Sequence, residues 1–319
     1  MHRYDFVSVF APYIEQFINF KRSLGYKFQS TDELCSFDRF AALNEILSAE
    51  LTREVCDLWG LKRPNETDIT RYKRISAIRN LARFMNAIGV PSYLPRLPGN
   101  YKSTFTPYIY SHDEIGRFFA ECDKLIVSSH TYSAPLYPAL FRLLYGTGMR
   151  IGEALSLRRK DVDLDNGIVI LRDTKNGEDR LLPVSDSLRD ILGSFASAYA
   201  DAEPDSFFFV KRNRKPLMRS DVYHNFRALL LKCGISHRGR ESGPRIHDFR
   251  HTFSVHSLAK MSENGLDLYY SLPILSQYLG HKSLEATDKY VRLTEEMFPS
   301  VLEKMNSVCA YVFPEVERL

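Results

Sequence analysis

A stretch without helical periodicity interrupts this 319-residue chain between residues 96 and 110, and it constrains the fold more than any other feature. It contains Pro98, Gly99 and Pro107, residue types that break regular structure, and this composition is typical of a linker. A chain of this length with 44% hydrophobic residues can bury two separate cores. We therefore predict one domain over residues 1–95, a linker over 96–110 and a second domain over 111–319.

The first domain shows helical patterns throughout, over residues 10–24, 32–47, 52–60 and 68–88. In the last pattern an apolar stripe repeats at helical spacing, formed by Ile75, Ile78, Ala82 and Met85. Basic side chains surround this stripe: Arg71, Lys73, Arg74, Arg79 and Arg83. A helix that is buried on one side and basic on the other can lie against DNA. Ordinary solubilising charges on an exposed helix remain the simpler alternative.

The second domain mixes helices with a short β-segment. Ser111 and Glu114 form a capping-box pattern that predicts a helix start, and further helices are expected to reach Leu144 and Leu157. Asp163–Gly167 predicts a hairpin turn, so residues 161–184 should form a small antiparallel sheet, with helices resuming after Ser185. The pattern predicts an α+β fold that is mainly α-helical. A final apolar stripe, between Val301 and Val312, predicts a terminal helix that packs on its own domain or on a neighbouring copy.

Positive charge is concentrated in one segment. Between residues 207 and 250, eleven basic residues face three acidic ones, giving +8 and leaving −4 for the rest of a chain whose total is +4. Such a concentration favours a surface that follows a phosphate backbone. The candidates nearest its start are Lys211, Arg212, Arg214 and Lys215, although any one of them could simply be a solvated charge.

Composition argues against secreted and membrane proteins. The five cysteines are scattered without a Cys-x-x-Cys pair, which indicates free thiols in a reducing compartment. No apolar run is long enough to span a bilayer, and the first residues lack the layout of a signal peptide. We expect a cytoplasmic protein with no membrane partner.

Residues suited to phosphoryl transfer appear in the second domain. Arg150 follows a Gly-x-Gly turn at the start of a short helix, where free backbone N–H groups favour an anion. The spacing of His247 and Arg250 puts both on one helical face. His281 follows a predicted helix stop at Gly280, and Tyr290 comes nine residues later on a helix that Ser283 could cap.

These segments, in this order and spacing, resemble the tyrosine recombinases of the phage integrase family, of the mobile-element or Xer-like type. The matching segments are Thr147-Gly-Met-Arg150-Ile-Gly-Glu153, the hairpin with Lys175, His247-x-x-Arg250, Leu279-Gly-His281 and Tyr290. Each motif alone is weak, but the set is specific. The resemblance implies a helical core-binding domain of the SAM-like type and a mixed catalytic domain, which together clamp duplex DNA.

The resemblance also implies a role for each residue. Tyr290 would attack the scissile phosphate and form a 3′-phosphotyrosyl link, Arg150 and Arg250 would hold the phosphate, and Lys175 would protonate the leaving oxygen. His247 and His281 would assist by hydrogen bonding and proton handling. Strand exchange would proceed through a Holliday junction in a tetramer at specific recombination sites in double-stranded DNA. The family pattern further implies no metal and no other cofactor, a C-terminal helix exchanged between protomers, and an accessory directionality factor as a further partner.

Simpler interpretations exist for single residues. A tyrosine on an amphipathic helix usually packs in a core, and a lysine at a hairpin tip usually only solvates a sheet edge. Glu153 either forms an ordinary surface ion pair or orients the Arg150 guanidinium. The spacing of His247 and His251 would suit two metal ligands on a helix, but Asp248 stands where zinc proteases need Glu and no third ligand is evident. We interpret His251 and His256 as helix-packing or surface residues.

Two rival functions remain at this point. A type IB topoisomerase uses nearly the same chemistry as a monomer, but the amphipathic tail and the domain layout argue against it. A DNA-binding accessory protein without catalysis is disfavoured by the complete set of residues.

Overall fold

The computed structural model of the chain describes residues 5–26, 28, 31–99, 106–128, 136–172, 174, 179–198, 202–211, 213–237, 239, 243–281, 287, 289–291 and 293–294. The chain divides into two compact units, Met1–Thr104 and Phe105–Leu319. The predicted α+β class with mainly helical content and one small antiparallel sheet is confirmed. In the described part of the chain, no helix is both long and apolar enough to cross a membrane.

The described part of the first unit contains α1 (Ala11–Ser23), α2 (Asp32–Leu43), α3 (Arg53–Gly60) and α4 (Asp68–Ala87). Thr52 and Thr67 cap α3 and α4, because their hydroxyls accept hydrogen bonds from the amides of Val55 and Thr70 at 3.3 and 3.2 Å. Helix α2 is shorter than predicted. It ends at Leu43 because the backbone turns at Asn44 and enters the left-handed region at Glu45, with φ of 51°.

The core of the first unit is aromatic at its centre. Phe37 lies between Phe10 and Trp59, with ring centroids 5.2 and 5.3 Å apart. The predicted apolar stripe of α4 faces this core, and all of its members are buried: Ile75, Ile78, Ala82 and Met85. Aromatic and aliphatic burial on this scale can hold a four-helix unit together by itself.

The second unit contains seven α-helices with assigned bounds, a short 3-10 helix (Arg159–Asp161), further helical residues around Tyr290 and a three-stranded sheet. The helices are α5 (His112–Ser128), α6 (Leu136–Thr147), α7 (Ile151–Ser156), α8 (Asp186–Ser197), α9 (Arg219–Lys232), α10 (Asp248–Glu263) and α11 (Leu268–Leu279). The strands are β1 (Val162–Asp163), β2 (Ile168–Leu171) and β3 (Arg180–Pro183), in the order β1-β2-β3 and antiparallel throughout. Val169 on β2 pairs with Val162 on one side and Leu182 on the other.

Three predicted signals of the second unit match the structure. Ser111 and Glu114 form a reciprocal capping box at the start of α5, with hydrogen bonds of 2.9 and 3.2 Å. The hairpin turn at Asp163–Gly167 connects β1 to β2. Helix α11 stops at Leu279, and Gly280 takes a φ of 67°, which favours glycine. Helix α10 packs against both α6 and α11, and this packing brings the ends of three helices together.

Candidate active site

The turn between α6 and α7 positions Arg150. Gly148 in this turn has a φ of 61°, and a Cβ there would come within 2.5 Å of the Phe253 ring, so only glycine fits. Arg150 follows as the residue before α7. The Glu153 carboxylate accepts hydrogen bonds from the Arg150 amide and from its guanidinium, each at 2.8 Å. The glutamate therefore fixes both the backbone and the side chain of Arg150.

A second guanidinium shares the same carboxylate. Arg180, the first residue of β3, donates to Glu153 at 2.9 and 3.4 Å. The side chains of Glu153 and Arg180 are 10% and 13% exposed, so this is not an ordinary surface ion pair. A Cβ on Gly280 would lie 2.6 Å from Nη1 of Arg180, so the absence of a side chain there makes room for the guanidinium. Sequence reasoning missed Arg180, because only the fold brings residues 153 and 180 together.

These contacts control the charge of Glu153. Burial raises the pKa of its carboxyl, but the Arg150 amide and the Arg180 and Arg150 guanidiniums outweigh burial and hold the pKa below its usual value. Glu153 therefore stays negative at neutral pH and keeps both arginines oriented.

Arg250 is the most enclosed cation of the site, with 2% of its surface exposed. Its guanidinium donates to the carbonyl oxygens of Gly148 at 2.8 Å and Leu279 at 2.7 Å. The same group lies 2.9 Å from Nε2 of His281. Burial and the nearby Arg150 lower the pKa of Arg250 to about 10, which leaves it charged at neutral pH.

Two histidines border these arginines. Nε2 of His281 accepts a hydrogen bond from the Arg250 guanidinium, and Nδ1 lies 2.8 Å from the Thr287 hydroxyl. Burial, followed by Arg250 and Arg150, lowers the pKa of His281 to about 4. His247 stands immediately before α10 and is an exposed residue. The pKa of His247 is lowered as well. The largest cause is desolvation by the surrounding protein, followed by the charges of Arg250 and Arg245.

Tyr290 lies beside this cluster, with 1% of its surface exposed. Its ring stacks near that of His281, with centroids 6.2 Å apart, and its hydroxyl lies 3.0 Å from Nδ1 of His251. Burial raises the pKa of Tyr290, and the charge of Arg250 offsets only part of this effect. Tyr290 is therefore a neutral phenol at rest. His251 is 5% exposed and bonded to Tyr290, so the surface alternative in our interpretation of His251 was wrong.

Cations dominate the electrostatics of the site. Four positive charges lower the pKa of His281: those of Arg250, Arg150, Lys289 and Arg180. Glu153 neutralises part of this charge through Arg150 and Arg180. The positive charge that remains favours an anionic ligand. In the part of the chain that the structure describes, no cluster of three or more His, Cys, Asp or Glu side chains is placed to hold a metal ion.

Of the six predicted catalytic residues, the structure brings five together: Arg150, His247, Arg250, His281 and Tyr290. Lys175 lies outside the described residues, as do Arg212, the candidate cap Ser283 and the apolar stripe between Val301 and Val312.

The predicted basic face of α4 is less uniform than its sequence suggests. Lys73 and Arg83 are exposed. Arg71 and Arg79 are partly buried and donate to the carbonyl oxygens of Gly60 at 2.8 Å and Pro95 at 2.6 Å. Arg74 is buried and forms a two-point ion pair with Glu66, at 2.8 and 2.9 Å. A buried, paired arginine is not available to a phosphate backbone, so Arg74 leaves the set of DNA-binding candidates.

The basic candidates near residue 211 occupy a tight turn. The amide of Lys211 donates to the carbonyl of Lys215 at 2.9 Å, and Arg214 and Lys215 are exposed. The Lys211 side chain forms an ion pair with Asp221 at 2.6 Å, which neutralises part of its charge.

Known proteins resemble this chain over most of its length. The model of the phage integrase family matches residues 109–297. Integrase/recombinase y4rB of Sinorhizobium fredii is 30% identical over 94% of this chain and 98% of its own length. Tyrosine recombinase XerA of Pyrococcus furiosus is 30% identical over 51% of this chain and 52% of its own. A lambda integrase dimer bound to a COC′ core site has the same fold, with a TM-score of 0.62, 16% identity and coverage of 89% of this chain and 77% of that one.

Proposed function

This chain belongs to the phage integrase family of tyrosine recombinases, and we propose that it recombines specific DNA sites by cleaving and rejoining strands through Tyr290. One observation carries the assignment of the nucleophile. The ring of Tyr290 stacks near that of His281, which itself contacts Arg250, and the charges of Arg250 and Arg150 offset part of the rise in pKa that burial causes in the tyrosine. A phenol surrounded by phosphate-binding groups is suited to attack phosphorus.

In the cleavage step, Arg150 and Arg250 hold the non-bridging oxygens of the scissile phosphate, with hydrogen bonds from His281 and His247. The Tyr290 oxygen bonds to phosphorus while the bond from phosphorus to the 5′ oxygen breaks. Lys175 donates a proton to that leaving oxygen, so the products are a 3′-phosphotyrosyl link and a 5′-hydroxyl. A 5′-hydroxyl from the partner strand then attacks the link, and a second round resolves the Holliday junction. The phosphotyrosyl ester retains the energy of the broken phosphodiester bond. Rejoining therefore requires no nucleotide cofactor.

Glu153 supports this chemistry indirectly. By holding Arg150 and Arg180 together, it keeps the phosphate-binding group in one orientation before DNA arrives. Groups that are oriented before the substrate binds need not reorganise during the reaction. This preorganisation is the main source of electrostatic catalysis.

Contacts to the DNA backbone are proposed for exposed basic residues of each unit. In the first unit, Lys73 and Arg83 are exposed on α4, and Arg71 and Arg79 are partly buried on the same helix. In the second unit, Arg214 and Lys215 are exposed in a turn that Lys211 closes. Arg212 belongs to the same segment but lies outside the described residues. Backbone contacts of this kind position a protein on duplex DNA without reading its sequence.

Finer aspects of the function follow from the same proposal. We propose that four copies assemble on two DNA sites, that the terminal stripe between Val301 and Val312 docks on a neighbouring copy, and that an accessory factor sets direction. The segment Phe17–Lys27 resembles mobile-element recombinases, which supports a role in moving a DNA element within the cytoplasm.

Trapping of the covalent intermediate tests the function. A duplex nicked near the cleavage point should yield a protein–DNA adduct without added metal, because the short released strand diffuses away and cannot rejoin. Tyr290→Phe should bind the same duplex in a gel shift and form no adduct. Adduct formation by Tyr290→Phe, or a strict requirement for Mg²⁺, would overturn the proposal.

A further inference from the structure

His251 is a buried titratable residue of the site that the mechanism above leaves without a role. Its Nδ1 lies 3.0 Å from the hydroxyl oxygen of Tyr290, and the two side chains are 5% and 1% exposed. The ring centroids are 5.6 Å apart. A hydrogen bond to the attacking oxygen itself, shielded from water, places His251 in contact with a reacting atom.

The charges and hydrogen-bonding groups around Tyr290 suit a hydrogen bond in which its hydroxyl is the donor. The Arg250 guanidinium has no acceptor atom, and its positive charge favours a negative Tyr290 oxygen. The Ser254 hydroxyl donates its proton to the Arg250 carbonyl at 2.8 Å. Burial, then His247 and Lys289, lowers the pKa of His251 to about 2, so its imidazole is neutral and can accept. In the tautomer that carries its proton on Nε2, Nδ1 of His251 accepts the hydrogen bond that the Tyr290 hydroxyl donates.

We propose that His251 is the general base of strand cleavage and the general acid of rejoining. This inference rests on the proposed function of Tyr290. As the tyrosine oxygen bonds to phosphorus, its O–H bond breaks and the proton moves to Nδ1 of His251, while Lys175 protonates the departing 5′ oxygen. In rejoining, the 5′-hydroxyl gives its proton back to Lys175 as it attacks phosphorus, the tyrosine oxygen leaves, and His251 returns the proton to that oxygen.

The low basicity of His251 in the free protein does not prevent this transfer. A bound phosphodiester adds a negative charge beside Arg250 and Lys289, two of the cations that disfavour protonation of His251. The proton of Tyr290 also becomes strongly acidic once its oxygen begins to bond to phosphorus. His251 can therefore take the proton of Tyr290 during the attack even though it does not take this proton in the free protein.

The chain offers a matched control on the same helix. Nδ1 of His256 lies 2.9 Å from the hydroxyl of Tyr145, and His256 is 9% exposed. His256→Leu removes the same kind of hydrogen bond as His251→Leu without touching Tyr290. His251→Asn completes the set, because its amide oxygen can accept the hydrogen bond but cannot take up the proton.

Single-turnover cleavage of the nicked duplex tests the proposal in these variants. We expect His251→Leu and His251→Asn to cleave about a hundredfold more slowly than wild type, with unchanged gel-shift affinity, and His256→Leu to cleave at close to the wild-type rate. Replacing Tyr290 by a difluorotyrosine, whose phenol ionises at lower pH than that of tyrosine, should restore most of the rate in both His251 variants at a pH where the buried fluorophenol is ionised, because an ionised nucleophile needs no base.

Three outcomes would overturn it. Cleavage by His251→Leu at the wild-type rate would remove any role for the residue. A wild-type rate in His251→Asn would reduce that role to orientation of the hydroxyl. Slow cleavage that persists with difluorotyrosine would make it structural. If wild type itself forms no adduct, the proposed function fails, and that result is distinct from these three.

Discussion

At the scale of single residues, one carboxylate orients two cations. Glu153 receives Arg150 from its own helix turn and Arg180 from β3, so its charge connects a helix to a strand beside the proposed phosphate-binding site. Removing only that charge would leave two guanidiniums to repel each other in a largely enclosed space. The geometry of the proposed phosphate site therefore depends on an acidic group to which we assign no contact with the phosphate.

Glu153→Gln should accordingly slow cleavage of the nicked duplex by about tenfold to a hundredfold, as is usual when a supporting partner of a catalytic group is lost. Affinity for DNA should change far less, because both cations remain. Single-turnover rates and gel shifts measure the two effects. Glu114→Gln is the matched control, since Glu114 occupies the equivalent capping position of α5. Equal cleavage rates in the two variants would contradict the orienting role.

Contacts between residues that are far apart in the sequence could not be predicted. Arg180 meets a partner 27 positions away, and Tyr290 meets His251 39 positions away, so no local pattern signals either contact. Arg74 was predictable, because its spacing to Ile78, Leu81 and Met85 places it on the buried stripe of α4. The prediction that Arg74 belongs to the exposed basic face of α4 was therefore wrong. By contrast, Arg150, His247, Arg250, His281 and Tyr290 could be proposed from the sequence because each stands in a distinctive local motif.

At the scale of secondary-structure elements, α10 carries an unusual number of histidines with lowered pKa. The pKa of His251 is about 2 and that of His256 about 4, mainly because both are buried, and His247 before the helix is lowered too. Above pH 6.5 these groups are neutral in both the folded and unfolded chain. Below it, the unfolded chain takes up protons that the folded chain refuses, so stability falls as the pH drops toward 4.

For His256 alone, lowering the pH from 7 to 5 should remove about 1–2 kcal/mol of folding free energy. His256→Asn cannot titrate, so its thermal midpoint should fall less than that of wild type over the same range. Melting curves at several pH values between 7 and 5 measure the difference. The comparison between variants is essential, because burial raises the pKa of Asp248 on the same helix and opposes the trend. Parallel midpoint curves would show that His256 does not contribute.

Three helix starts in the described residues followed capping signals in the sequence. Thr52, Thr67 and the Ser111–Glu114 pair all mark starts that the structure reproduces. The end of α2 was wrong because Asn44 and Glu45 stop the helix through backbone geometry that no glycine or proline announces. Starts were therefore easier to predict than ends.

At the scale of the whole molecule, each unit has its own hydrophobic core. The chain has a single tryptophan, Trp59, which is buried in the core of the first unit. The Arg74 guanidinium lies 4.8 Å from the centre of its ring and is paired with Glu66. Tryptophan fluorescence therefore reports on the first unit alone, whereas circular dichroism reports on the helices of both.

Arg74→Ala leaves Glu66 buried without its partner, which typically costs about 3–5 kcal/mol. Urea titration should shift the fluorescence transition of Trp59 to much lower concentration, while the circular dichroism signal keeps a later transition from the second unit. Lys73→Ala, an exposed neighbour, should leave both transitions unchanged. If the two signals shift together in Arg74→Ala, the units unfold as one, and the separation of their cores has no thermodynamic meaning.

The hydrogen bonds of Arg250 have an evolutionary consequence. Its guanidinium joins α10 to the carbonyl of Gly148 in one turn and to the carbonyl of Leu279 at the end of α11. Two buried carbonyls would lose their donor if another residue replaced it. Selection for a folded second unit therefore preserves this arginine even without selection for catalysis. A descendant that lost Tyr290 and its activity would still be expected to keep Arg250, so the arginine by itself is a poor marker of an active enzyme.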